Sequence, residues 1–145
     1  MIRYVIEEDI RFVLKSRRKR SDWVRRVIYR FSSSSGCGEI IGEITFVFCS
    51  DDSLRKVNRK FLKHDYYTDV ITFNYCDGEV VSGDILVSVD RVRENARDYN
   101  ALFDDELSRV MIHGVLHLLE YSDQSKRECS LMREREDESL KMREW

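Results

Sequence analysis

The sequence predicts an α+β fold in which a mixed sheet of about four strands is packed with helices. Strand-like and helix-like segments alternate along the 145 residues, which is typical of a sheet covered by helices. The composition is 42% hydrophobic and 11% aromatic, which indicates a packed core rather than disorder. The length suits a single domain over residues 1–145, with a core that needs no disulfides.

Four segments have the patterning of strands: residues 2–6, 42–49, 68–75 and 83–89. The second alternates, with Ile44, Phe46 and Phe48 on one face. The third is rich in β-branched and aromatic residues, and a turn around Asp77-Gly78 joins it to the fourth. Together they supply the predicted sheet.

Five segments have helical patterning: about residues 22–31, 53–62, 90–99, 104–119 and 126–142. Ser21 is the predicted N-cap of the first helix. Leu54, Val57 and Phe61 form the predicted apolar stripe of the second. The fourth has acids in its first turn, followed by a long buried stripe, so we expect it to be the central helix.

Charge is unevenly distributed along the chain. Residues 1–63 carry 15 Lys/Arg and 8 Asp/Glu (+7), whereas residues 64–145 carry 10 and 19 (−9), which sums to the net charge of −2. A polarised protein of this kind can present a basic surface to a polyanion. Charge alone, however, favours an ordinary solvated surface.

The sequence predicts a cytoplasmic protein without membrane contact. No stretch approaches the roughly 20 consecutive apolar residues of a membrane helix, and acids interrupt the apolar residues of the N-terminus. The four cysteines, Cys37, Cys49, Cys76 and Cys129, show no C-x-x-C spacing. We expect most of them to be buried apolar residues in a reducing compartment.

The most informative segment for function is His113-Gly114-Val115-Leu116-His117, at the end of the central helix. Histidines four residues apart lie on one helix face, so both imidazoles can reach one metal ion. The spacing is that of H-E-x-x-H zinc enzymes, but Gly114 replaces the glutamate base, which disfavours a peptidase. A histidine on a helix is more often a packing residue, so the spacing alone does not decide its role. Gly114 itself is expected to allow another element to pack closely against the helix.

A carboxylate could complete a metal site with the two histidines. The helical pattern ends at Glu120–Asp123, where the chain can turn and bring Asp123 back towards the pair. Glu120, three residues beyond His117, is the alternative third ligand. Either choice leaves a coordination position for water, as catalytic zinc sites require. The spacing leaves both carboxylates open.

Several segments resemble the YbeY family of bacterial endoribonucleases and ribosomal RNA maturation factors. Residues 113–119 with Tyr121 are similar to its H-G-x-L-H-L-x-G-Y-D-H signature. Residues 57–73 resemble its L-N-x-x-F-R-x-K-D-x-P-T-D-V-L-S-F block, and residues 83–85 match its G-D-I strand. The spacing of its C-terminal helix is matched by Met132, Glu136 and Leu140. Matches in the family's order from about residue 43 to 140 are far more specific than H-x-x-x-H.

The resemblance implies a zinc-dependent endoribonuclease of small-subunit (16S) ribosomal RNA processing and ribosome maturation. It implies one zinc ion held by His113, His117 and Asp123, which thereby act as the catalytic residues. Its implied partners are ribosomal RNA and the small ribosomal subunit with its proteins. The family's third histidine falls at Asp123, so a carboxylate oxygen replaces a ring nitrogen, which should make bound water less acidic.

A second departure from the family lies at Leu62, where the family has an arginine thought to face the active site. Leucine cannot contact a phosphate, so Arg59 and Lys63, on the same predicted helix end, are the candidates for binding RNA. Asp69 and Asp84 are expected either to orient a histidine or to form turns.

Two other functions remain open. A non-catalytic RNA-binding ribosome assembly factor, in which the metal stabilises the fold or the RNA interface, is favoured by the loss of the arginine at Leu62. A metal-dependent hydrolase of another phosphoester or amide is the third hypothesis.

Overall fold

A four-stranded mixed sheet forms the centre of the computed structural model, which describes residues 1–32 and 40–145. The strands are β1 (Ile2–Ile6), β2 (Ile40–Cys49), β3 (Val70–Asn74) and β4 (Val80–Ser88), in the spatial order β1-β2-β4-β3. β2 is parallel to both β1 and β4, whereas β3 is antiparallel to β4. The predicted α+β fold with a mixed sheet of four strands is confirmed.

Five helices pack with the sheet in the described residues: α1 (Arg17–Phe31), α2 (Asp51–Phe61), α3 (Val89–Asp98), α4 (Phe103–Leu118) and α5 (Lys126–Lys141). α1 begins earlier than predicted, and its N-cap is Ser16 rather than Ser21. The N-cap prediction was wrong because the Ser21 hydroxyl pairs with the Tyr4 hydroxyl of β1, at 2.9 Å. None of the helices in residues 1–32 and 40–145 is long and apolar enough to cross a membrane.

The core lies between the sheet and α4. Ile44, Phe46 and Phe48 are fully buried on one face of β2, as the alternation predicted. α4 lies directly on β4, since a Cβ atom added at Gly114 would lie 2.6 Å from Cγ2 of Ile85. The predicted close approach at Gly114 is therefore confirmed. It brings the end of the central helix, with its two histidines, close to the sheet.

One basic residue of the first half of the chain is structural. Arg20 is only 1% exposed and donates hydrogen bonds to the Lys15 carbonyl at 2.8 Å and to the Ser108 hydroxyl at 3.1 Å. Its guanidinium also forms an ion pair with Asp104. These contacts join α1 to α4, so Arg20 is not part of any basic surface.

The predictions for α2 and for the cysteines need correction. Phe61 is exposed, and Asn58 takes the buried position on α2 because its side chain donates a hydrogen bond to the Tyr66 carbonyl, at 3.1 Å. Cys49 is buried as expected, whereas Cys76 is half-buried and Cys129 is exposed. Cys37 lies outside the described residues.

Candidate metal centre

Two histidines project from the last two turns of α4. The Nε2 atoms of His113 and His117 are 3.0 Å apart, and their ring centroids are separated by 4.6 Å. Both rings are partly exposed, whereas Gly114, Val115 and Leu116 between them are buried. The one-turn spacing therefore brings both imidazoles to one accessible spot.

A tight reversal of the chain brings Asp123 to the histidine pair. α4 ends at Leu118, and Glu120 adopts a left-handed backbone conformation with φ 71°, which redirects the chain. The Oδ2 atom of Asp123 then lies 3.3 Å from Nε2 of His113 and 3.4 Å from Nε2 of His117. Glu120, the alternative third ligand, is exposed and is not a member of this group.

The three side chains can hold a single metal ion. Their ligand atoms all lie within 4.8 Å of one another. Among residues 1–32 and 40–145, this is the group of histidine, cysteine and acidic side chains that could hold a metal ion. Two imidazole nitrogens and one carboxylate oxygen are a common donor set for zinc, and three protein ligands leave a position for water. This group, at the end of the central helix, can therefore hold a metal ion with the open coordination that is typical of catalytic sites.

A buried carboxylate fixes the orientation of His113. The Oε2 atom of Glu136, on α5, lies 2.7 Å from Nδ1 of His113, so the Nε2 atom is the one left to face the metal group. The other carboxylate oxygen of Glu136 accepts a hydrogen bond from Arg109, at 2.9 Å. Partners of this kind fix the tautomer and the ring orientation of metal-binding histidines.

Sequence reasoning matched Glu136 to a family spacing but missed its role. The available signal was its position four residues after Met132, on the buried stripe of an otherwise highly charged helix. A carboxylate in such a stripe needs a buried partner. Only the folded structure shows that the partners are His113 and Arg109.

The two histidines have opposite pKa shifts. Burial by itself lowers the pKa of His113, but the hydrogen bond and the charge of Glu136 outweigh it, so the pKa is raised. Burial and the nearby charge of His113 lower the pKa of His117, which therefore lies below its ordinary value. A low pKa favours the neutral imidazole that a metal ion requires.

Asp69 and Asp84 do not make the hydrogen bond that orients His113. Asp69 precedes β3, and its carboxylate accepts a weak hydrogen bond from the Asn95 side chain, at 3.4 Å. Burial raises the pKa of Asp69. The carboxylate of Asp84 pairs with the Tyr75 hydroxyl instead.

A cavity of about 380 Å³ opens in front of the metal group. His113, His117 and Asp123 form part of its wall, and Leu62 and Tyr66 line it from the segment after α2. Both polar and apolar side chains line the cavity. It can therefore bring a substrate against the metal group.

The predicted RNA-binding residues, Arg59 and Lys63, are not among the side chains that line this cavity. Arg59 is on the exposed side of α2, and Lys63 is an exposed residue with φ 56° just after the helix. Leu62, between them in sequence, is the residue that lines the cavity. Neither basic side chain lines the cavity that the three candidate ligands line.

Comparison with known proteins identifies the family. Residues 6–144 match the family model described as endoribonuclease YbeY. An endoribonuclease YbeY from Bacteroides thetaiotaomicron is 44% identical over 127 residues, which cover 88% of each chain. One from Flavobacterium johnsoniae is 42% identical over 142 residues, covering 98% of this chain and 96% of the relative.

A solved structure supports the same assignment. The solution structure of a protein from Thermotoga maritima is 27% identical, with a TM-score of 0.62, and the match covers 98% of this chain and 88% of that chain. The resemblance inferred from the sequence motifs is therefore confirmed, and the chain belongs to the endoribonuclease YbeY family.

Proposed function

We propose that this protein is a zinc-dependent endoribonuclease of 16S ribosomal RNA processing and small-subunit maturation in the cytoplasm. Its relatives are named endoribonucleases, and one observation in the structure supports the same chemistry: His113, His117 and Asp123 converge at the wall of an open cavity. In this proposal, residues 1–145 act as a single domain whose partners are ribosomal RNA and the small ribosomal subunit with its proteins.

The three ligands and the residues that support them have different roles in this proposal. His113, His117 and Asp123 hold the zinc ion, while Glu136 and Arg109 keep the His113 ring in place. When bound, zinc supplies an acidified water as nucleophile and a positive charge that polarises a phosphoryl oxygen. The cavity positions the phosphodiester, and correct placement can account for a large part of the rate.

Arg59 and Lys63 bind the RNA backbone in this proposal. Both are exposed on either side of Leu62, which lines the cavity, so a strand that enters the cavity passes close to them. Contacts of this kind hold phosphates without reading sequence, and they weaken steeply as salt rises. An Arg59→Ala/Lys63→Ala double variant should therefore bind RNA less tightly and with a smaller salt dependence.

The direct test is the metal content of the purified protein by mass spectrometry. The wild type and Glu120→Ala should carry one zinc ion per chain, whereas His117→Ala and Asp123→Ala should lose it. Precursor 16S RNA should be cleaved by the first two proteins only. Zinc binding without RNA cleavage by the wild type would contradict the proposed endoribonuclease activity. Zinc retained in Asp123→Ala would contradict the assignment of Asp123 as the third ligand.

The second candidate function is a non-catalytic assembly factor. The observation that favours it is Leu62, because an apolar side chain lines the cavity where the family has an arginine. In that case the metal only stabilises the protein, so His117→Ala should lower both the melting temperature and the RNA affinity. A variant that folds and binds RNA normally but no longer cleaves it would exclude this function.

A further inference from the structure

The segment that follows α2 exposes two large apolar side chains at the cavity in front of the metal group. Leu62 is 43% exposed and Tyr66 is 54% exposed, and both residues line that cavity together with the three candidate ligands. Neither side chain packs in the hydrophobic core formed by residues 1–32 and 40–145. The nuclease reaction proposed above gives Tyr66 no role.

A buried asparagine fixes the shape of this segment. Asn58 is 1% exposed, and its backbone carbonyl accepts hydrogen bonds from the N–H groups of Leu62, at 3.0 Å, and His64, at 3.2 Å. Its side-chain amide donates a hydrogen bond to the Tyr66 carbonyl, at 3.1 Å. Lys63 turns the chain between these bonds with a left-handed φ of 56°. Hydrogen bonds to a residue of the protein interior therefore set the position of Tyr66 at the cavity.

A second aromatic ring holds the Tyr66 side chain. The rings of His64 and Tyr66 are stacked, with centroids 5.3 Å apart and planes 19° from parallel, and the Tyr66 hydroxyl lies 3.1 Å from Nδ1 of His64. His64 is not among the residues that line the cavity, whereas Tyr66 is. The histidine thus covers one face of the tyrosine ring, and the exposure of the Tyr66 side chain leaves its other face open to another planar group.

We propose that a base of the RNA substrate stacks on the Tyr66 ring, and that His64 is the positioning residue that holds this ring. The inference rests on the proposed nuclease function, because Tyr66 and the candidate metal ligands line one cavity. A base next to the phosphate at the metal group has a flat face available for stacking. Stacking on an aromatic side chain is a common way to hold an unpaired base, and it tolerates any sequence.

The chemistry of this wall favours a base over a phosphate. Leu62 and Tyr66 carry no charge, so they offer nothing that neutralises a phosphate, which is the role proposed for Arg59 and Lys63. Every base has a π-face, so the contact adds affinity without selecting one base. We therefore expect Tyr66 to hold the substrate in place and not to read its sequence.

Fluorescence of 2-aminopurine tests the stacking without any need for RNA cleavage. The probes are short oligouridylates of 2′-O-methyl nucleotides with 2-aminopurine at each position in turn, and stacking quenches this base. Tyr66→Leu should bind them about 5- to 150-fold more weakly than the wild type, the range for the loss of one base–aromatic stack. It should also lose the quenching, whereas Tyr66→Phe should keep it. Equal affinity and equal quenching in Tyr66→Leu and the wild type would overturn the proposal.

The same contact can be tested from the RNA side, with the wild-type protein unchanged. An abasic nucleotide, moved along the oligomer, should weaken binding to the wild type at one position by a similar factor. It should have little effect there on Tyr66→Leu, because the stack is already lost. Tyr29→Leu, at an 85% exposed position on α1, is the control and should behave as the wild type does. Abasic effects that are the same in Tyr66→Leu and the wild type at every position would contradict the stacking.

The positioning role of His64 has its own test. His64→Ala should reduce the quenching of 2-aminopurine, because the Tyr66 ring loses its stacked partner. His64→Phe puts a ring back on the same face and should restore most of the quenching. Full quenching in His64→Ala would show that His64 does not position Tyr66.

These outcomes are separable from that of the nuclease proposal. Quenching that depends on Tyr66, in a protein that never cleaves RNA, would support the stacking and contradict the nuclease. RNA cleavage by a protein whose oligonucleotide binding is the same with and without the Tyr66 ring would support the nuclease and overturn the stacking.

Discussion

The Nδ1 atom of His113 lies 2.7 Å from Oε2 of Glu136, which joins the candidate metal group to α5. Glu136 is 5% exposed, and Arg109 holds its other oxygen. This buried chain of hydrogen bonds runs from α5 through the carboxylate to the imidazole. It gives α5 a direct influence on the metal group, although α5 supplies none of the three candidate ligands.

Glu136→Gln should weaken zinc binding about 10- to 100-fold, the usual effect of losing a hydrogen-bond partner behind a metal-binding histidine. The amide no longer provides the charge that favours the Nδ1–H tautomer of His113. Calorimetric titration of zinc into the metal-free protein measures the change. Glu134→Gln on the same helix is the control and should bind zinc as the wild type does. Unchanged affinity in Glu136→Gln would show that Glu136 has no such role.

Gly114→Ala should destabilise the protein, because the new Cβ atom would lie 2.6 Å from Cγ2 of Ile85. Overpacking of this kind costs about 1–3 kcal/mol, against a gain of about 1 kcal/mol in helix propensity. In an Ile85→Ala background the clash is gone, so the same substitution should become stabilising. Urea unfolding of the four proteins measures this double-mutant cycle. The same sign in both backgrounds would contradict the contact.

Arg20→Ala should lower the free energy of unfolding by at least about 2 kcal/mol, because it removes charge-assisted hydrogen bonds and leaves a buried space. Arg18→Ala, two residues earlier and exposed, should change it by less than about 0.5 kcal/mol. Denaturant unfolding of the two variants makes the comparison. Equal stability of both variants would mean that Arg20 does not join α1 to α4.

Cys49 should resist alkylation in the folded protein at pH 8. Burial, reinforced by the charges of Asp9 and Glu7, raises the pKa of Cys49 to about 12, so its thiol stays protonated well above neutral pH. Only the thiolate reacts. Cys129 is exposed and should be modified by iodoacetamide under the same conditions. Peptide mapping by mass spectrometry distinguishes the two, and rapid labelling of Cys49 would contradict its burial.

The sequence predicted those features that depend on local periodicity. The alternation of Ile44, Phe46 and Phe48 gave the buried face of β2, and the spacing of His113 and His117 gave one accessible helix face. Both follow from backbone geometry alone.

Features that depend on tertiary contacts could not be predicted in the same way. The spacing in the sequence could not decide whether Asp123 or Glu120 is the third candidate ligand, because that choice depends on the left-handed backbone conformation at Glu120. The burial of Arg20 and the partners of Glu136 come from helices far apart in sequence. No local pattern distinguishes such residues from ordinary charged side chains.

The reversal at Glu120 also has a kinetic consequence. His113, His117 and Asp123 lie within eleven consecutive residues, so only a short loop has to close for the three side chains to meet. Closing a loop of about ten residues takes on the order of 10–100 ns, far less than non-local strand pairing. The parallel pairing of β2 with β4, in contrast, joins segments roughly 40 residues apart. We therefore expect the end of α4 and the turn after it to be able to capture a metal ion before the sheet is complete.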